Sequence, residues 1–156
     1  LIGWQSMPGG GTTDYAVDIF HEAIKNGKYT CFLSEERTLP MMYMDDAIKA
    51  TIGIMEAPYD KIKIRTSYNL SSLNFNPEQL EEEIKKHFKD FKIIYKPDER
   101  DELAKGWPES INDDCARKDW GWEPNFNLSQ MVNDIILNLT NRYKESKNLN
   151  AEFQNI

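Results

Sequence analysis

The chain has 156 residues, which is enough for one domain with a buried core. Hydrophobic residues make up 40% of it and charged residues 29%, a balance typical of globular proteins. The net charge of −7 argues against nucleic acid and against an anionic membrane surface as the main partner. No apolar run reaches the roughly 18 residues that a membrane-spanning helix needs.

Metal and thiol chemistry have few candidate residues in this sequence. The two cysteines, Cys31 and Cys115, lie far apart, which favours free thiols over a disulfide scaffold. The two histidines, His21 and His87, lack the paired spacing of zinc ligands. We therefore predict no metal site, and we interpret both histidines as packing or surface residues. A Gly-x-Ser-x-Gly nucleophile motif is also absent from the sequence.

Residues 9–15 read Gly-Gly-Gly-Thr-Thr-Asp-Tyr and precede the first predicted helix. A flexible loop of this kind brings backbone N–H groups to a helix N-terminus, a site suited to a small anion such as a carboxylate. Thr12 and Thr13 add hydroxyl groups that donate or accept hydrogen bonds. The local pattern leaves open a loop that only starts a helix. It also leaves open whether Asp14 contacts an ammonium group or only favours the helix dipole.

Helical and strand patterns alternate along the chain, which favours an α/β fold over an all-helical or all-β fold. Short apolar runs bounded by turn residues predict strands at 29–33, 39–44, 67–70 and 92–95. The first helix is predicted to begin at Thr12 or Thr13, as its cap, and to run to about Asn26. Gly27 then supplies a left-handed stop.

The second predicted helix opens at Asp45-Asp46, where either carboxylate is suited to the cap and to the helix dipole. Pro58 lies just beyond its end. Apolar positions at helical spacing indicate the side that faces the core. The residues predicted to face inward are Ile48, Thr51, Ile52 and Met55.

Capping signals mark the later helices. The string Asn76-Pro77-Glu78-Gln79 combines an Asn cap, a Pro in the first turn and a Gln three residues after the cap. Residues 98–105 are predicted to form a short surface helix, and another short helix begins at Asp113-Asp114 and ends at Gly121. Asn127, with Gln130 in the capping-box position, is predicted to begin the last helix.

Three further patterns allow more than one interpretation. Trp107, between Gly and Pro, is either a packing residue or a lid over a ligand. Arg37 is either an anion ligand or a solvated turn residue. Two Tyr-x-x-x-Lys matches, Tyr59 to Lys63 and Tyr143 to Lys147, lie in a charged connection and in the polar tail, and we interpret both as chance.

Several strings follow one another in an order and spacing that match one family over nearly the whole chain, to about Leu139. They are Gly9-Gly10-Gly11-Thr12-Thr13-Asp14-Tyr15, Leu39-Pro40-Met41-Met42-Tyr43, Trp107-Pro108, Asp113-Asp114 and Ala116-Arg117-Lys118-Asp119-Trp120-Gly121-Trp122. Together they resemble L-threonine 3-dehydrogenase of the short-chain (extended) dehydrogenase type. The last string and the Asp45-Asp46 helix start are shared with the wider group of NAD-dependent epimerases and dehydratases.

The resemblance implies a mixed α/β fold. The chain would be the carboxyl-terminal part of an NAD(P)-binding Rossmann-fold extended short-chain dehydrogenase, with a small α/β substrate-binding domain. We divide it into 1–140, the Rossmann remnant with the substrate-binding domain, and 141–156, a polar tail that is predicted to fray. The family's glycine fingerprint and catalytic Tyr-x-x-x-Lys are expected upstream of Leu1. No catalytic residue is therefore predicted within this chain.

The resemblance also implies the partners of the site. The residues expected to contact substrate are Gly11, Thr12, Thr13 and Trp107, and those expected to contact the cofactor NAD are Leu1 and Ile2. The implied reaction is oxidation of L-threonine by NAD to 2-amino-3-oxobutanoate. Other implied partners are the missing N-terminal Rossmann half and, for a full-length protein, a second copy in a homodimer.

Two other functions remain open at this point. One is a sugar-nucleotide epimerase or dehydratase of the same superfamily, although Arg37 is the single weak candidate for a basic clamp. The other is a fragment that binds a ligand without catalysis. Under the first interpretation the isolated chain is expected to be inactive. The family implies a mitochondrial location for a eukaryotic protein and a cytoplasmic one otherwise.

Overall fold

The computed structural model describes the backbone of residues 1–153 and the side chains of residues 1–146. Its helices are α1 (Tyr15–Asn26), α2 (Met44–Glu56), α3 (Pro77–Lys85), α4 (Glu99–Ala104), α5 (Asp114–Trp120) and α6 (Leu128–Phe153). Its strands are β1 (Lys28–Cys31), β2 (Leu39–Met41), β3 (Leu73–Phe75) and β4 (Lys92–Tyr95). The alternation of helices and strands confirms the predicted α/β class.

The strands form two small sheets. β1 pairs with β4 in parallel, and β2 pairs with β3 in an antiparallel arrangement. A parallel bridge also joins Ile2 to Tyr43. In this bridge the Ile2 N–H donates to the Met42 carbonyl at 2.9 Å, and the Met44 N–H donates to the Ile2 carbonyl at 2.8 Å. The first residues of the chain are thereby fixed beside the segment that leads into α2.

The main core lies among α1, α3, α6 and the two sheets. The sequence of α1 predicts a buried stripe of Ala16, Ile19, Phe20, Ala23 and Ile24 at helical spacing. All of these are buried except Ile24, which is half-buried. α6 contributes the stripe that its sequence predicts: Met131, Val132, Ile135 and Leu139. His21 is buried on α1 with its Nδ1 2.7 Å from the Tyr143 hydroxyl, which confirms it as a packing residue.

Local capping signals agree with the structure in α3 and α6, whereas the predicted Asp45-Asp46 cap of α2 is wrong: the helix begins at Met44, with Tyr43 in the cap position and no side-chain cap. The Asn76–Gln79 and Asn127–Gln130 pairs both form reciprocal capping boxes. Gly27 and Gly121 adopt positive φ at the ends of α1 and α5. The predicted threonine cap of α1 is wrong. Asp14 occupies the cap position, because the Gly11 and Thr13 carbonyls accept from Asp14 and Ala16 in a turn that delays the helix.

The strand predicted at 67–70 is also wrong. Residues 68–72 are irregular, and the strand that pairs with β2 is β3, at 73–75. Side chains satisfy the irregular backbone instead of a strand neighbour. The Ser71 N–H donates to Asp113 at 3.1 Å, and the Ser71 carbonyl accepts from the Trp122 indole at 3.1 Å.

The side of α2 that faces the core also differs from the prediction. Ile48, Thr51, Ile52 and Met55 are exposed, whereas the buried residues of the helix are Asp46 and Ala50. The helix therefore packs on the core through Asp46 and Ala50. No element among the described residues covers its more apolar side.

α6 continues past residue 140 and remains helical to Phe153, over the segment where a polar, frayed tail is predicted. The side chains of 147–156 lie outside the described residues, and the division at 140 stays a prediction. Within the described part of the chain no helix is long and apolar enough to cross a membrane. The same residues contain no group of three or more His, Cys, Asp or Glu side chains placed to hold a metal ion.

Candidate functional site

The glycine-rich loop before α1 is folded around the Asp14 carboxylate. Asp14 Oδ2 accepts hydrogen bonds from the Gly9 N–H at 2.6 Å and from the Gly11 N–H at 2.9 Å. Gly10, between them, adopts φ of 93°, a conformation that L-residues with a side chain rarely take. The loop is thus a small anion-binding turn whose anion comes from the chain itself.

Thr12 and Thr13 follow this turn and keep their donors free. Within the part of the chain whose side chains are described, neither residue uses its backbone N–H or its hydroxyl in a hydrogen bond. Both side chains are half-buried. The two threonines therefore present two N–H groups and two hydroxyls at the start of α1, next to the positive end of the helix dipole.

The structure places the two expected cofactor residues differently. Leu1 is 69% exposed, whereas Ile2 is buried in the main core. Leu1 borders a cleft of about 350 Å³ between β2 and the irregular 68–71 segment. The residues that line it are Leu1, Pro40, Met41, Met42, Tyr68, Asn69, Leu70, Ser71 and Ile111. Leu1 is exposed and Ile2 is buried in the bridge to Tyr43, and contact of either residue with the cofactor stays a prediction.

A second cleft of about 330 Å³ lies on the other side of this bridge. It is bordered by the 3–6 segment, which leads toward the glycine-rich loop, and by the start of α2. Its lining residues are Gly3, Trp4, Gln5, Ser6, Tyr43, Met44, Asp45 and Ile48.

Trp107 lies in the turn that follows α4, where its N–H donates to the Ala104 carbonyl at 3.1 Å. Its side chain is 45% exposed, so it is not a core packing residue. It lines neither of the two clefts described above. Its role as a wall or lid for the substrate stays a prediction.

Arg37 is held by an ion pair. Its guanidinium donates to Asp101 through Nε at 3.0 Å and through a second nitrogen at 3.3 Å. Asp101 is buried and also accepts from the N–H and hydroxyl of Ser34, each at 3.0 Å. Arg37, together with these Ser34 donors, lowers the pKa of Asp101 to about 2. The guanidinium is thus committed to Asp101, which leaves the anion-ligand interpretation of Arg37 without support.

This ion pair predicts a pH dependence of folding. A carboxyl group whose pKa is lowered in the folded state adds stability above its unfolded pKa, and that stability is lost as the pH falls through the folded pKa. Relative to an Asp101→Asn variant, the unchanged chain should lose about 2 kcal/mol between about pH 5 and pH 2. Urea unfolding of both proteins across this range measures the difference. Parallel curves for the two proteins would contradict the prediction.

Asp46, at the start of α2, has a structural role that the sequence did not reveal. Its carboxylate is fully buried and accepts from the Asn125 N–H at 2.7 Å, the Phe126 N–H at 3.3 Å and the Ser72 hydroxyl at 3.0 Å. It thus joins α2 to β3 and to the segment that leads into α6. The Asp-Asp doublet indicated a helix start, but nothing in it indicated which carboxylate points into the protein.

Tyr43 and Asp113 make two more buried polar contacts around the same elements. The Tyr43 hydroxyl donates to Asp134 on α6 at 2.5 Å, and burial, together with this carboxylate, raises the Tyr43 pKa. Asp113 accepts from Arg117 at 2.8 Å. Burial opposes the ionised form of Asp113, but Arg117 and Ser71 outweigh it and the pKa is lowered. These contacts hold the segments around the clefts in place, and Tyr43 also lines the second cleft.

Known proteins that are similar to this chain include several L-threonine dehydrogenases. No protein-family model matches the chain. Bovine mitochondrial L-threonine 3-dehydrogenase is 47% identical over 137 residues, which is 87% of this chain and 36% of the bovine protein. The apo structure of a GalE-like L-threonine dehydrogenase from Cupriavidus necator is 53% identical with a TM-score of 0.85, over 88% of this chain and 50% of that one. L-threonine dehydrogenase from Phytophthora infestans is 49% identical with a TM-score of 0.87, over 90% and 46%.

The chain is homologous to the carboxyl-terminal part of the L-threonine 3-dehydrogenases. It spans half or less of the length of these relatives. The comparison confirms the resemblance found in the sequence and the fold class predicted from it. A nucleoside-diphosphate-sugar epimerase from Agrobacterium tumefaciens is 14% identical with a TM-score of 0.71, a likeness that shows a shared fold.

Proposed function

We propose that this chain is the substrate-binding portion of an NAD-dependent L-threonine 3-dehydrogenase. The observation that carries the proposal is the state of the loop before α1. Gly11, Thr12 and Thr13 stand at a helix N-terminus, and among the residues whose side chains are described the donors of the two half-buried threonines have no hydrogen-bond partner. They occur in a chain homologous to threonine dehydrogenases over nearly nine-tenths of its length.

In this proposal Thr12 and Thr13 of the loop bind the carboxylate of the substrate, L-threonine. Two N–H groups and two hydroxyls match the four acceptor sites of one carboxylate, and the helix dipole favours the negative charge. Asp14 Oδ2 accepts from the Gly9 and Gly11 amides, so in this proposal the Asp14 carboxylate orders the loop. Trp107 would close the site on its apolar side, and Leu1 would contact the nicotinamide end of the cofactor.

The chemical step is assigned to the half of the relatives that this chain does not cover. Oxidation of the substrate at C3 removes a hydride, which NAD accepts, and a hydroxyl proton, which a tyrosine of that half would take. The product is 2-amino-3-oxobutanoate. The residues of this chain hold the substrate in place, and positioning of this kind lowers a barrier by several kcal/mol.

A sugar-nucleotide epimerase or dehydratase is the rival within the superfamily. A nucleotide sugar needs basic groups for its phosphates, and Arg37 is already bound to Asp101. An uncharacterised epimerase/dehydratase from Staphylococcus haemolyticus is 43% identical over 94% of this chain and 46% of that protein, but its name states no substrate. A fragment that binds a ligand without catalysis is the third candidate.

A chimeric enzyme tests the proposal. The amino-terminal half of the Cupriavidus necator enzyme, joined to this chain, should form NADH with NAD and L-threonine and should not act on nucleotide sugars. The isolated chain should form no NADH under the same conditions. NADH formation with a nucleotide sugar and none with threonine would refute the proposal, as would threonine-dependent NADH formation by the isolated chain.

The remaining partners follow from the same proposal. They are L-threonine, NAD, the amino-terminal half and, for the complete enzyme, a second copy in a homodimer. The bovine and porcine relatives are named as mitochondrial proteins. We accordingly propose a mitochondrial location if the source is a eukaryote and a cytoplasmic one otherwise.

A further inference from the structure

The position of Trp107 depends on α4, the short helix that precedes it. The Gly106 N–H donates to the Leu103 carbonyl at 3.3 Å, and the Trp107 N–H donates to the Ala104 carbonyl at 3.1 Å. Residues 105–110 are exposed and belong to no helix or strand. The turn that carries Trp107 is therefore closed on the end of α4, and its place in the molecule follows from the place of that helix.

α4 has six residues, which is too short for a helix that is stable by itself. Its buried residues are Asp101 and Ala104, three positions apart and so on one side of the helix. Ala104 contributes one methyl group to the core. At the other end the Arg100 guanidinium stacks on the half-buried Phe32 ring, and the Asp98 N–H donates to the Phe32 carbonyl. Asp101 is thus the buried polar attachment of α4.

Asp101 connects α4 to the turn at 34–37. Its Oδ1 accepts from the Ser34 N–H, the Ser34 hydroxyl and Arg37 Nε, each at 3.0 Å. The turn is closed by the Arg37 N–H, which donates to the Ser34 carbonyl at 3.1 Å, and it leads into β2, which pairs with β3. Hydrogen bonds to a buried carboxylate with a charged donor are among the strong ones. The ion pair therefore fixes α4 to the sheet.

Loss of this attachment is expected to act locally. Of residues 99–110, Asp101 and Ala104 are the buried ones, so the segment contributes little to the core. Local opening of such a segment requires less free energy than unfolding of the core. Without the contacts of Asp101, α4 opens before α1 or α6 does, and Trp107 is the first large side chain to lose its place.

We propose that Asp101, with Arg37 as its partner, is a positioning residue for the substrate, because it holds α4 and thereby keeps Trp107 in place against threonine. The proposal rests on the proposed function, since that function assigns Trp107 to the substrate site. Neither member of the ion pair touches the substrate. Arg37 thus contributes to substrate binding through Asp101, a role that differs from an anion ligand and from a solvated turn residue.

Hydrogen exchange, measured by mass spectrometry on the chain, tests the link between Asp101 and Trp107. Asp101→Asn should speed exchange of the N–H groups of 103–107 about tenfold, and Arg37→Gln, at a half-buried position, should have a smaller effect in the same direction. Exchange in α6 should change less than about twofold in both variants, because the core persists. Glu102→Gln, which removes an exposed charge from the same helix, is the matched control and should leave both regions unchanged.

Two outcomes of this measurement would overturn the proposal. One is unchanged exchange at 103–107 in Asp101→Asn. The other is equal acceleration of 103–107 and of α6 in both Asp101→Asn and Arg37→Gln, which would assign the ion pair to the stability of the whole fold.

A double-mutant cycle in the chimera tests the consequence for the substrate. Asp101→Asn should raise the KM for threonine about tenfold with a smaller change in kcat, whereas Glu102→Gln should leave both unchanged. In a Trp107→Ala background, Asp101→Asn should change the KM less than about twofold, because a residue that acts through Trp107 has no effect once Trp107 is absent. An equal rise in both backgrounds would overturn the proposal, as would an unchanged KM in Asp101→Asn. Faster exchange at 103–107 in Asp101→Asn, together with a chimera that does not oxidise threonine, would uphold the attachment of Trp107 and refute the proposed function.

Discussion

Replacing Asp46 with alanine is expected to destabilise the folded chain by about 4 kcal/mol. The Asp46 carboxylate is fully buried and accepts from Asn125, Phe126 and Ser72. Alanine would leave two backbone N–H groups and one hydroxyl without their acceptor in the interior. Each buried donor that loses its partner costs about 1–3 kcal/mol, which outweighs the relief from burying a charge. Urea unfolding at neutral pH measures the loss.

Asp45 provides a matched control for this variant. It is the neighbouring acidic residue of the same helical turn, and its side chain is exposed. Asp45→Ala removes the same charge from the helix N-terminus and should cost about 0.5 kcal/mol, the size of a dipole interaction. A loss for Asp46→Ala no larger than that for Asp45→Ala would contradict the structural role of the buried carboxylate.

Replacing Asp14 with alanine is expected to raise the KM for threonine about 30-fold in the chimera, with a smaller change in kcat. Asp14 holds the Gly9 and Gly11 amides and so fixes the loop before any ligand arrives. Without it, the loop must be ordered when the substrate binds. Two hydrogen bonds to a carboxylate at a partly exposed site contribute about 2 kcal/mol, which is about 30-fold in affinity.

Asp14→Asn is the informative second variant. Both glycine N–H groups donate to a single oxygen of Asp14, which the asparagine amide oxygen can replace without the charge. The KM of Asp14→Asn should therefore lie between those of the unchanged enzyme and of Asp14→Ala. A decrease in the KM of Asp14→Ala, in place of the expected increase, would have a different cause. A lower KM in Asp14→Ala would show that Asp14 competes with the substrate carboxylate for the Gly9 and Gly11 amides, and that the loop opens when threonine binds.

The parts of the fold that were predicted well are those with local causes. The capping boxes at Asn76 and Asn127 and the left-handed glycine after α1 depend on residues within one helical turn. β4 was predicted at its observed bounds, because its apolar run is closed by a proline. Such signals need no knowledge of the rest of the molecule.

The errors concern contacts between distant segments. The sequence around Tyr68 is typical of a strand. In the structure, the Lys63 and Ile64 N–H groups donate to the Tyr68 hydroxyl and hold this segment in an irregular turn. For α2 the helical periodicity of the apolar residues was predicted correctly, but the side of the helix that faces the core was not. A pattern of apolar residues shows that a helix has a packing side, whereas it does not show which polypeptide packs there.

The candidate site shows the same division between local and distant causes. The Gly-Thr-Thr loop was recognised from its composition, and within the described side chains the donors of both threonines make no hydrogen bond. The role of Asp14 as the internal acceptor of the loop required the three-dimensional turn, since an acid at a helix start has a sufficient explanation in the dipole. Arg37 could be assigned only after Asp101, 64 residues away, was found beside it.

The proposed function requires that Thr12 and Thr13 bind the carboxylate of the substrate. Its most direct test is the KM for L-threonine of the chimera with both residues changed to valine, compared with Thr38→Val as a control at a similarly half-buried threonine. Loss of hydroxyl donors to a carboxylate should raise the KM about tenfold or more, while the KM of Thr38→Val should stay close to that of the unchanged enzyme. An equal KM in the double variant and in the control would contradict the account.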